Sequence, residues 1–253
     1  PARGVRGVIM ACMARAGRLY PEPESVALGQ AVAGSFGLQT EQVFVGNGSD
    51  EVIDLAFMAL LKHSLSLYFP DVSYSFYPVW SAMFDIAYRT IPLDQDFSID
   101  PAAYPVKNGG IIIPNPNAPT GMLMSLDSIR ALLQRSAESV VVIDEAYIDF
   151  TTIESWTQRL NAFPNLMVTQ TLSKAYGLAG IRLGTCYASK EIIAVLNKIK
   201  PPYNINSLTQ QAAIEALQNN EVSDQVSSIL REREKLANAL ASCFFVKKIY
   251  PSD

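Results

Sequence analysis

Residues 139–147 read SVVVIDEAY, an unbroken apolar run that ends at the aspartate Asp144. A run without polar alternation is typical of a β-strand that is covered on both faces, as in a parallel sheet. Two other runs have the same form, GIIIP at residues 110–114 and LMVTQT at residues 166–171. The sequence therefore predicts a sheet whose central strands are buried on both sides.

Helical patterns alternate with strand patterns along the rest of the chain. The other predicted strands of the sheet are residues 42–46, 66–69, 88–91 and 184–188. The predicted helices are residues 5–16, 25–36, 52–61, 126–134, 208–218 and 222–241. This alternation predicts an α/β fold with a mostly parallel, seven-stranded sheet and helices on both faces. One further strand is predicted at residues 244–250.

Composition limits the kind of protein. Hydrophobic residues make up 49% and charged residues 17% of the 253 residues, which is enough apolar material for a sizeable core. The net charge of −4 argues against nucleic-acid binding, which requires a basic face, so small-molecule partners are expected. We expect no membrane contact, because no run approaches the roughly 20 apolar residues of a membrane helix.

The cysteines and the single histidine exclude several kinds of site. Cys12, Cys186 and Cys243 are widely separated, which fits neither a disulfide framework nor a metal-ligand cluster. A reducing, cytoplasmic compartment and no bound metal are therefore expected. His63 is the only histidine, so chemistry that needs two imidazoles is excluded.

Polar residues follow several predicted strands at their carboxyl ends, where open α/β sheets bind ligands. The segment GNGSDE, residues 46–51, joins a strand to a helix, and free amides at a helix N-terminus suit an anion. An ordinary N-cap by Ser49 or Asp50 would give the same pattern. Asp144 ends the central strand.

One lysine lies among small and apolar residues. Residues 171–184 read TLSKAYGLAGIRLG, with Lys174 directly after a predicted strand. An ammonium is costly in such surroundings, so the amine can become a nucleophile that forms a Schiff base. An exposed lysine on a glycine-rich turn is the alternative interpretation.

Two kinds of phosphate-containing ligand share features with this set of groups. A strand that ends in Asp144 also occurs in ATPases that bind magnesium, but the phosphate loop GxxxxGK[ST] is missing from the sequence. Pyridoxal phosphate fits better, because it has a phosphate, a ring nitrogen that needs an acidic partner, a phenolic oxygen and an aldehyde for a lysine.

The chain resembles the fold-type I aminotransferases and, among them, the histidinol-phosphate aminotransferases. The resemblance runs from about Tyr20 to the end of the chain and rests on five motifs in the order of the family. These motifs are LYP at residues 19–21, GSDE at 48–51, PNAPTG at 116–121, DEAY at 144–147 and SKAYGLAGIRLG at 173–184.

The resemblance implies a pyridoxal 5′-phosphate site and a role for each matching residue. Lys174 is implied to be the Schiff-base lysine and general acid/base. Asp144 is implied to pair with the pyridine nitrogen, Tyr147 to bond the phenolic oxygen, and Tyr74 to stack on the ring. Tyr20 is implied to reach the phosphate of a neighbouring subunit, which means a homodimer. The implied phosphate ligands are Ser49, Asp50, Ser173 and Arg182, and Gly48 is a further cofactor-binding residue.

The sequence departs from the family pattern in two places. Ala118 stands where many relatives have an asparagine that bonds the phenolic oxygen, and Asn117 is the expected substitute. The N-terminal substrate segment and the C-terminal arginine that binds the substrate carboxylate have no match. We expect an N-terminal arm at residues 1–24, a large cofactor-binding domain at 25–207 and an incomplete small α/β domain at 208–253.

The leading functional hypothesis is ping-pong amino transfer between an amino donor, L-histidinol phosphate, and a 2-oxo acid acceptor, 2-oxoglutarate. Two alternatives share the cofactor: a threonine-phosphate decarboxylase and another amino-acid aminotransferase of the same fold. A third alternative is a non-catalytic module that keeps the fold for dimerisation or regulation.

Overall fold

The computed structural model describes residues 19–219 and 221–253. The helix predicted at residues 5–16 and the cysteine Cys12 lie outside the described residues. The strands are β1 (Val43–Asn47), β2 (Leu67–Pro70), β3 (Tyr88–Ile91), β4 (Ile111–Pro114), β5 (Val141–Asp144), β6 (Leu166–Thr171) and β7 (Leu183–Ala188). The α-helices are α1 (Val26–Phe36), α2 (Ser49–Ala59), α3 (Tyr77–Met83), α4 (Leu126–Arg135), α5 (Lys190–Ile199), α6 (Ser207–Gln218) and α7 (Glu221–Ala241).

Within the described residues the strands form one seven-stranded sheet in the order β1-β7-β6-β5-β4-β2-β3. The pairs from β6 to β3 are all parallel, whereas β7 runs antiparallel to both of its neighbours. The predicted mostly parallel, seven-stranded sheet is therefore confirmed. The carboxyl ends of β4, β5 and β6 lie side by side, since Pro114 is opposite Asp144 and Asp144 is opposite Thr169.

Both faces of the sheet are covered, as the apolar strand sequences predict. Val141 and Ile143 belong to the core beneath α1, α4 and α6, while Val142, between them, belongs to the core beneath α2, α3 and α5. All three side chains are 0% exposed, and burying each one stabilises the fold by about 1.5–3 kcal/mol. This double layer holds the strand ends rigidly in place.

The structure differs from the sequence predictions in three segments. Residues 244–250 form no strand, and the prediction was wrong there because no neighbouring strand lies beside them to pair with. Helices α3 and α5 were not predicted. In α3 the pair Tyr77-Pro78 lies at the start of the helix, where proline is tolerated because the amide it lacks has no helical partner. The proposed boundary between residues 207 and 208 stays a prediction.

The longest helix in the described residues, α7, mixes apolar and charged residues. It leaves Ile229, Leu236 and Leu240 exposed along a helix that is otherwise rich in charge. None of the helices in the described residues combines the length and apolarity needed to cross a bilayer.

Candidate active site

A cavity opens beyond the carboxyl ends of β4, β5 and β6, where the topology predicts a ligand site. Eight of the predicted site residues line this cavity together. They are Ser49, Asp50, Tyr74, Asp144, Tyr147, Ser173, Lys174 and Arg182. The remaining wall is provided by small or apolar residues: Ile53, Pro114, Pro116, Ala118, Ala146, Thr171 and Ala179.

Lys174 lies in the turn that follows β6 and faces Tyr147 across the cavity. Its Nζ is 5.1 Å from the centroid of the Tyr147 ring, a distance typical of a cation–π contact. The side chain is exposed, although the sequence suggested a lysine enclosed by apolar residues. The cavity wall includes the small side chains of Ala118, Ala146 and Ala179, so little apolar bulk lies against the amine.

Asp144 ends β5 at the base of the cavity and is only 7% exposed. Three donors hold its carboxylate: Tyr77 Oη at 3.0 Å from Oδ2, Thr169 Oγ1 at 3.2 Å from Oδ1 and Ala146 N at 3.3 Å from Oδ1. Burial raises the pKa of Asp144, and these hydrogen bonds act in the opposite direction. A buried carboxylate with organised donors is suited to hold a cationic group.

An anion cradle forms where β1 turns into α2. Gly48 precedes the helix with φ of 85°, a conformation that favours glycine. The first amides of α2, at Ser49 and Asp50, have no acceptor within the helix, and both residues line the cavity. The start of α2 therefore presents free donors and the positive end of the helix dipole to the cavity.

Glycine at position 184 lets β7 approach this turn closely. A Cβ at Gly184 would lie 2.2 Å from Ser49 N, and a Cβ at Gly48 would lie 2.4 Å from Nη2 of Arg182. The first contact is with backbone atoms that cannot move aside, so position 184 requires glycine. The second is with the end of a flexible side chain, and position 48 favours glycine because of its φ of 85°. The close packing brings the Arg182 guanidinium to the amides of α2.

Arg182 has a left-handed backbone, with φ of 55°, which is uncommon for a residue other than glycine. Its guanidinium forms an ion pair with Asp50, whose other carboxylate oxygen accepts a hydrogen bond from Tyr74 Oη at 3.1 Å. Burial, followed by the charge of Asp50, raises the pKa of Tyr74 to about 12. Tyr74 therefore keeps its proton at neutral pH.

Three predicted site residues do not line the cavity. Gly48 acts through the turn, as described above. Asn117 is 1% exposed, and its Nδ2 donates to Val72 O at 3.0 Å and to Thr120 Oγ1 at 2.9 Å, so the amide braces its own loop. Tyr20 is 82% exposed and stacks on Tyr203 at a centroid distance of 4.7 Å. The roles implied for Asn117 and Tyr20 stay predictions.

Sequence reasoning missed two polar side chains that contact Asp144, namely Tyr77 and Thr169. Proline directly after Tyr77 indicates a helix start, but this signal does not reveal the partner of the Tyr77 hydroxyl. Thr169 is found only from the register of β5 and β6, in which it lies opposite Asp144. No pattern within a single strand specifies such a partner.

The residues around the cavity fit pyridoxal phosphate. The glycine-dependent cradle and Arg182 suit a phosphate group, Asp144 suits a ring nitrogen that carries a proton, and Lys174 suits an aldehyde. Ala118, which stands where the family pattern has an asparagine, lines the cavity together with Tyr147.

A comparison with protein families assigns the chain. The family described as aminotransferase class I and II matches residues 9–253. The chain belongs to this family. Among curated relatives, it is 47% identical to histidinol-phosphate aminotransferase 1 of Hydrogenovibrio crunogenus, over 88% of the chain and 64% of that relative. It is 44% identical to histidinol-phosphate aminotransferase of Chromohalobacter salexigens, over 100% of the chain and 72% of that relative.

The chain thus spans less than two thirds of the Hydrogenovibrio relative. Two solved enzyme structures have the same fold as this chain. The histidinol-phosphate aminotransferase of Clostridium acetobutylicum superposes with a TM-score of 0.90 at 24% identity, covering 99% of this chain and 76% of that one. The L-threonine-O-3-phosphate decarboxylase of Porphyromonas gingivalis gives 0.83 at 22% identity, covering 98% and 75%. The fold therefore does not separate the two activities.

Proposed function

We propose that this chain carries the cofactor site of a pyridoxal-phosphate-dependent aminotransferase. The observation that carries the proposal is the single cavity that brings Lys174, Asp144 and the α2 cradle together. The proposed reaction converts L-histidinol phosphate and 2-oxoglutarate to imidazole-acetol phosphate and glutamate. The identity to histidinol-phosphate aminotransferases, 47% and 44% in the two relatives above, supports this choice of substrates.

Each side chain of the cavity has a task in this proposal. Lys174 Nζ would hold the aldehyde carbon of the cofactor and would move a proton at the substrate carbon. Asp144 would hold the ring nitrogen, while Tyr147 would donate to the phenolic oxygen and Tyr74 would cover the ring. The bound cofactor supplies an electron sink for the carbon that loses its proton.

The phosphate would be bound by the first amides of α2, the Ser173 hydroxyl and the Arg182 guanidinium. The Ser173 amide donates to Thr171 Oγ1 at 3.1 Å, which fixes the turn that carries the hydroxyl. Two groups with positive character, a guanidinium fork and a helix N-terminus, suit a doubly charged anion.

The proposal includes a homodimer in a reducing, cytoplasmic compartment. The exposed ring of Tyr20 and the exposed apolar side chains Phe76, Val79 and Met83 on α3 and just before it support a subunit contact beside the cavity. The unpaired thiols of Cys186 and Cys243 support the compartment. Sedimentation velocity of the purified protein tests the dimer, and a monomer across micromolar concentrations would contradict it.

The test of the cofactor site is chemical. Purified protein mixed with pyridoxal phosphate should develop a visible absorbance band, and borohydride should bleach it and leave the cofactor mass on the peptide that contains Lys174. Lys174→Ala should abolish both the adduct and amino transfer, whereas Lys190→Ala, an exposed lysine on α5, should preserve them. An adduct on another lysine, or unchanged turnover in Lys174→Ala, would overturn the proposal.

Product analysis in the same assay separates the other hypotheses. Formation of glutamate from 2-oxoglutarate supports amino transfer, and release of carbon dioxide from threonine phosphate would instead identify a decarboxylase. A stable adduct whose spectrum no amino donor changes would identify a non-catalytic module.

A further inference from the structure

The hydroxyl of Tyr77 is buried against Asp144, away from the wall of the cavity. Tyr77 is 0% exposed, and its Oη donates to Asp144 Oδ2 at 3.0 Å. The residue does not line the cavity, so it does not contact a ligand there. Its hydroxyl instead donates to Asp144, which does line the cavity.

Aromatic neighbours hold the Tyr77 ring in one place. Phe57 stacks on it at a centroid distance of 6.4 Å, Phe69 tilts against it at 5.6 Å, and Tyr74 meets it edge-on at 5.5 Å. The ring therefore cannot swing away without opening the core. Because packing already fixes this ring, little conformational entropy is lost when its hydroxyl forms the hydrogen bond. The hydroxyl is therefore preorganised for Asp144.

The other groups around Asp144 divide into those that favour its charge and those that oppose it. Thr169 Oγ1 and Ala146 N donate to Oδ1, which leaves Tyr77 as the donor to Oδ2 among the described residues. Burial and the negative charge of Asp50 oppose ionisation.

We propose that Tyr77 is a positioning residue that fixes the orientation of the Asp144 carboxylate and keeps it charged for a cationic ligand atom. The inference rests on the proposed function in one respect, since the ring nitrogen of the cofactor is the cation intended. Its physical basis is that a hydrogen bond to the charged form of a buried carboxylate favours that form. Partners one step removed from the ligand commonly tune a site in this way.

The test removes the hydroxyl and keeps the ring. In Tyr77→Phe without cofactor, the pKa of Asp144, followed by carbon-13 NMR of its carboxyl group, should be higher than in the parent protein. The dissociation constant of pyridoxal phosphate should increase about tenfold or more, the usual effect of losing a hydrogen bond to a charged group. An Asp144 titration that is unchanged or shifted downward would overturn the proposal.

Tyr104→Phe is the matched control. Tyr104 is 1% exposed, like Tyr77, but its hydroxyl has no hydrogen-bond partner among the described residues. Loss of this hydroxyl should leave both the Asp144 titration and the cofactor affinity unchanged. A shift of equal size in both variants would indicate a general effect of core substitution and would also overturn the proposal.

A second substitution covers the case in which Tyr77→Phe does not fold. Replacing Tyr77 by 3-fluorotyrosine keeps the hydroxyl and makes it a stronger donor, so the pKa of Asp144 should fall; a rise or no change would contradict the proposal. Because the titration is recorded without cofactor, its result does not depend on whether an adduct forms at Lys174. Failure of the proposed function and failure of this inference are therefore distinguishable.

Discussion

Arg182 and Asp50 form an ion pair with 3.0 Å between Nη2 and Oδ2, although 132 residues separate them in the sequence. Both side chains are about half exposed, 45% for Arg182 and 50% for Asp50. An ion pair with that much solvent contact contributes at most about 1 kcal/mol to stability. The pair matters for another reason. Asp50 already contacts the Arg182 guanidinium, which is the group that would bind the cofactor phosphate in the proposed function.

The first prediction follows from this competition. Asp50→Asn keeps the backbone amide of residue 50 but removes the carboxylate charge, so inorganic phosphate should bind about twofold to tenfold more tightly. Isothermal titration calorimetry at low salt measures the change, which should shrink at high salt because the groups are exposed. Asp127→Asn, which removes a surface partner of Arg130, is the control and should have no effect. Weaker phosphate binding in Asp50→Asn would show that the carboxylate serves to orient Arg182.

The second prediction concerns the approach of β7 to the start of α2. Gly184→Ala places a methyl group against Ser49 N, so the cradle must shift, and pyridoxal phosphate should bind more than tenfold more weakly. The free energy of unfolding should fall by about 1–3 kcal/mol, as is usual for overpacking. Spectroscopic titration and denaturant unfolding measure the two effects.

Gly34→Ala serves as the matched control for Gly184→Ala. Gly34 lies on α1, and a Cβ there meets nothing within 4 Å. Since alanine is the better helix former, this variant should be as stable as the parent or up to about 1 kcal/mol more stable. Normal cofactor binding by Gly184→Ala would refute the role given to close packing at the cradle.

The third prediction concerns Glu145, which is 1% exposed beside Asp144 in the sequence but lies outside the cavity lining. Its carboxylate accepts hydrogen bonds from Ser155 Oγ, Trp156 N and Gln170 Nε2. Burial raises the pKa of Glu145 from 4.5 to about 7, and the hydrogen bonds only partly oppose this effect. Between these two values the folded protein keeps a proton that the unfolded chain has released.

Stability should therefore fall as pH rises through this window, by about 3 kcal/mol from Glu145 alone. Glu145→Gln cannot ionise, so its free energy of unfolding should lie on a flatter curve between pH 5 and 8, with a constant offset for the hydrogen bond it loses. Denaturant unfolding at several pH values tests this expectation. Glu154→Gln, at a side chain that is 72% exposed, should keep the slope of the parent. Parallel curves for Glu145→Gln and the parent would contradict the prediction.

Local sequence patterns predicted the strands of the sheet and most of the residues around the cavity. The reason is that buried parallel strands have unmixed apolar sequences, and polar residues at their carboxyl ends meet at one edge. Asp144 and Lys174 were found in this way. The resemblance to a family then supplied roles that spacing alone does not give.

Features that depend on distant parts of the chain were not predictable in this way. Nothing in the sequence of β7 specifies that it lies between β1 and β6 or runs antiparallel to both, because strand order is set by contacts across the whole sheet. Thr169 and Tyr77 became visible as partners of Asp144 only in three dimensions. The failed strand at residues 244–250 shows the same limit, since a strand forms only where it has a neighbour.

The strand order also bears on how the chain is made. Among the described strands β1 pairs with β7 alone, and Gly46 lies opposite Gly184. On a ribosome, β1 would leave the exit tunnel long before its partner exists, while β2 to β6 could already associate. The seventh strand then inserts between β1 and the open edge of β6. The ligand cavity is thus completed only once β7 has been made, and a nascent chain arrested before residue 182 lacks both the link between β1 and β6 and the guanidinium of Arg182.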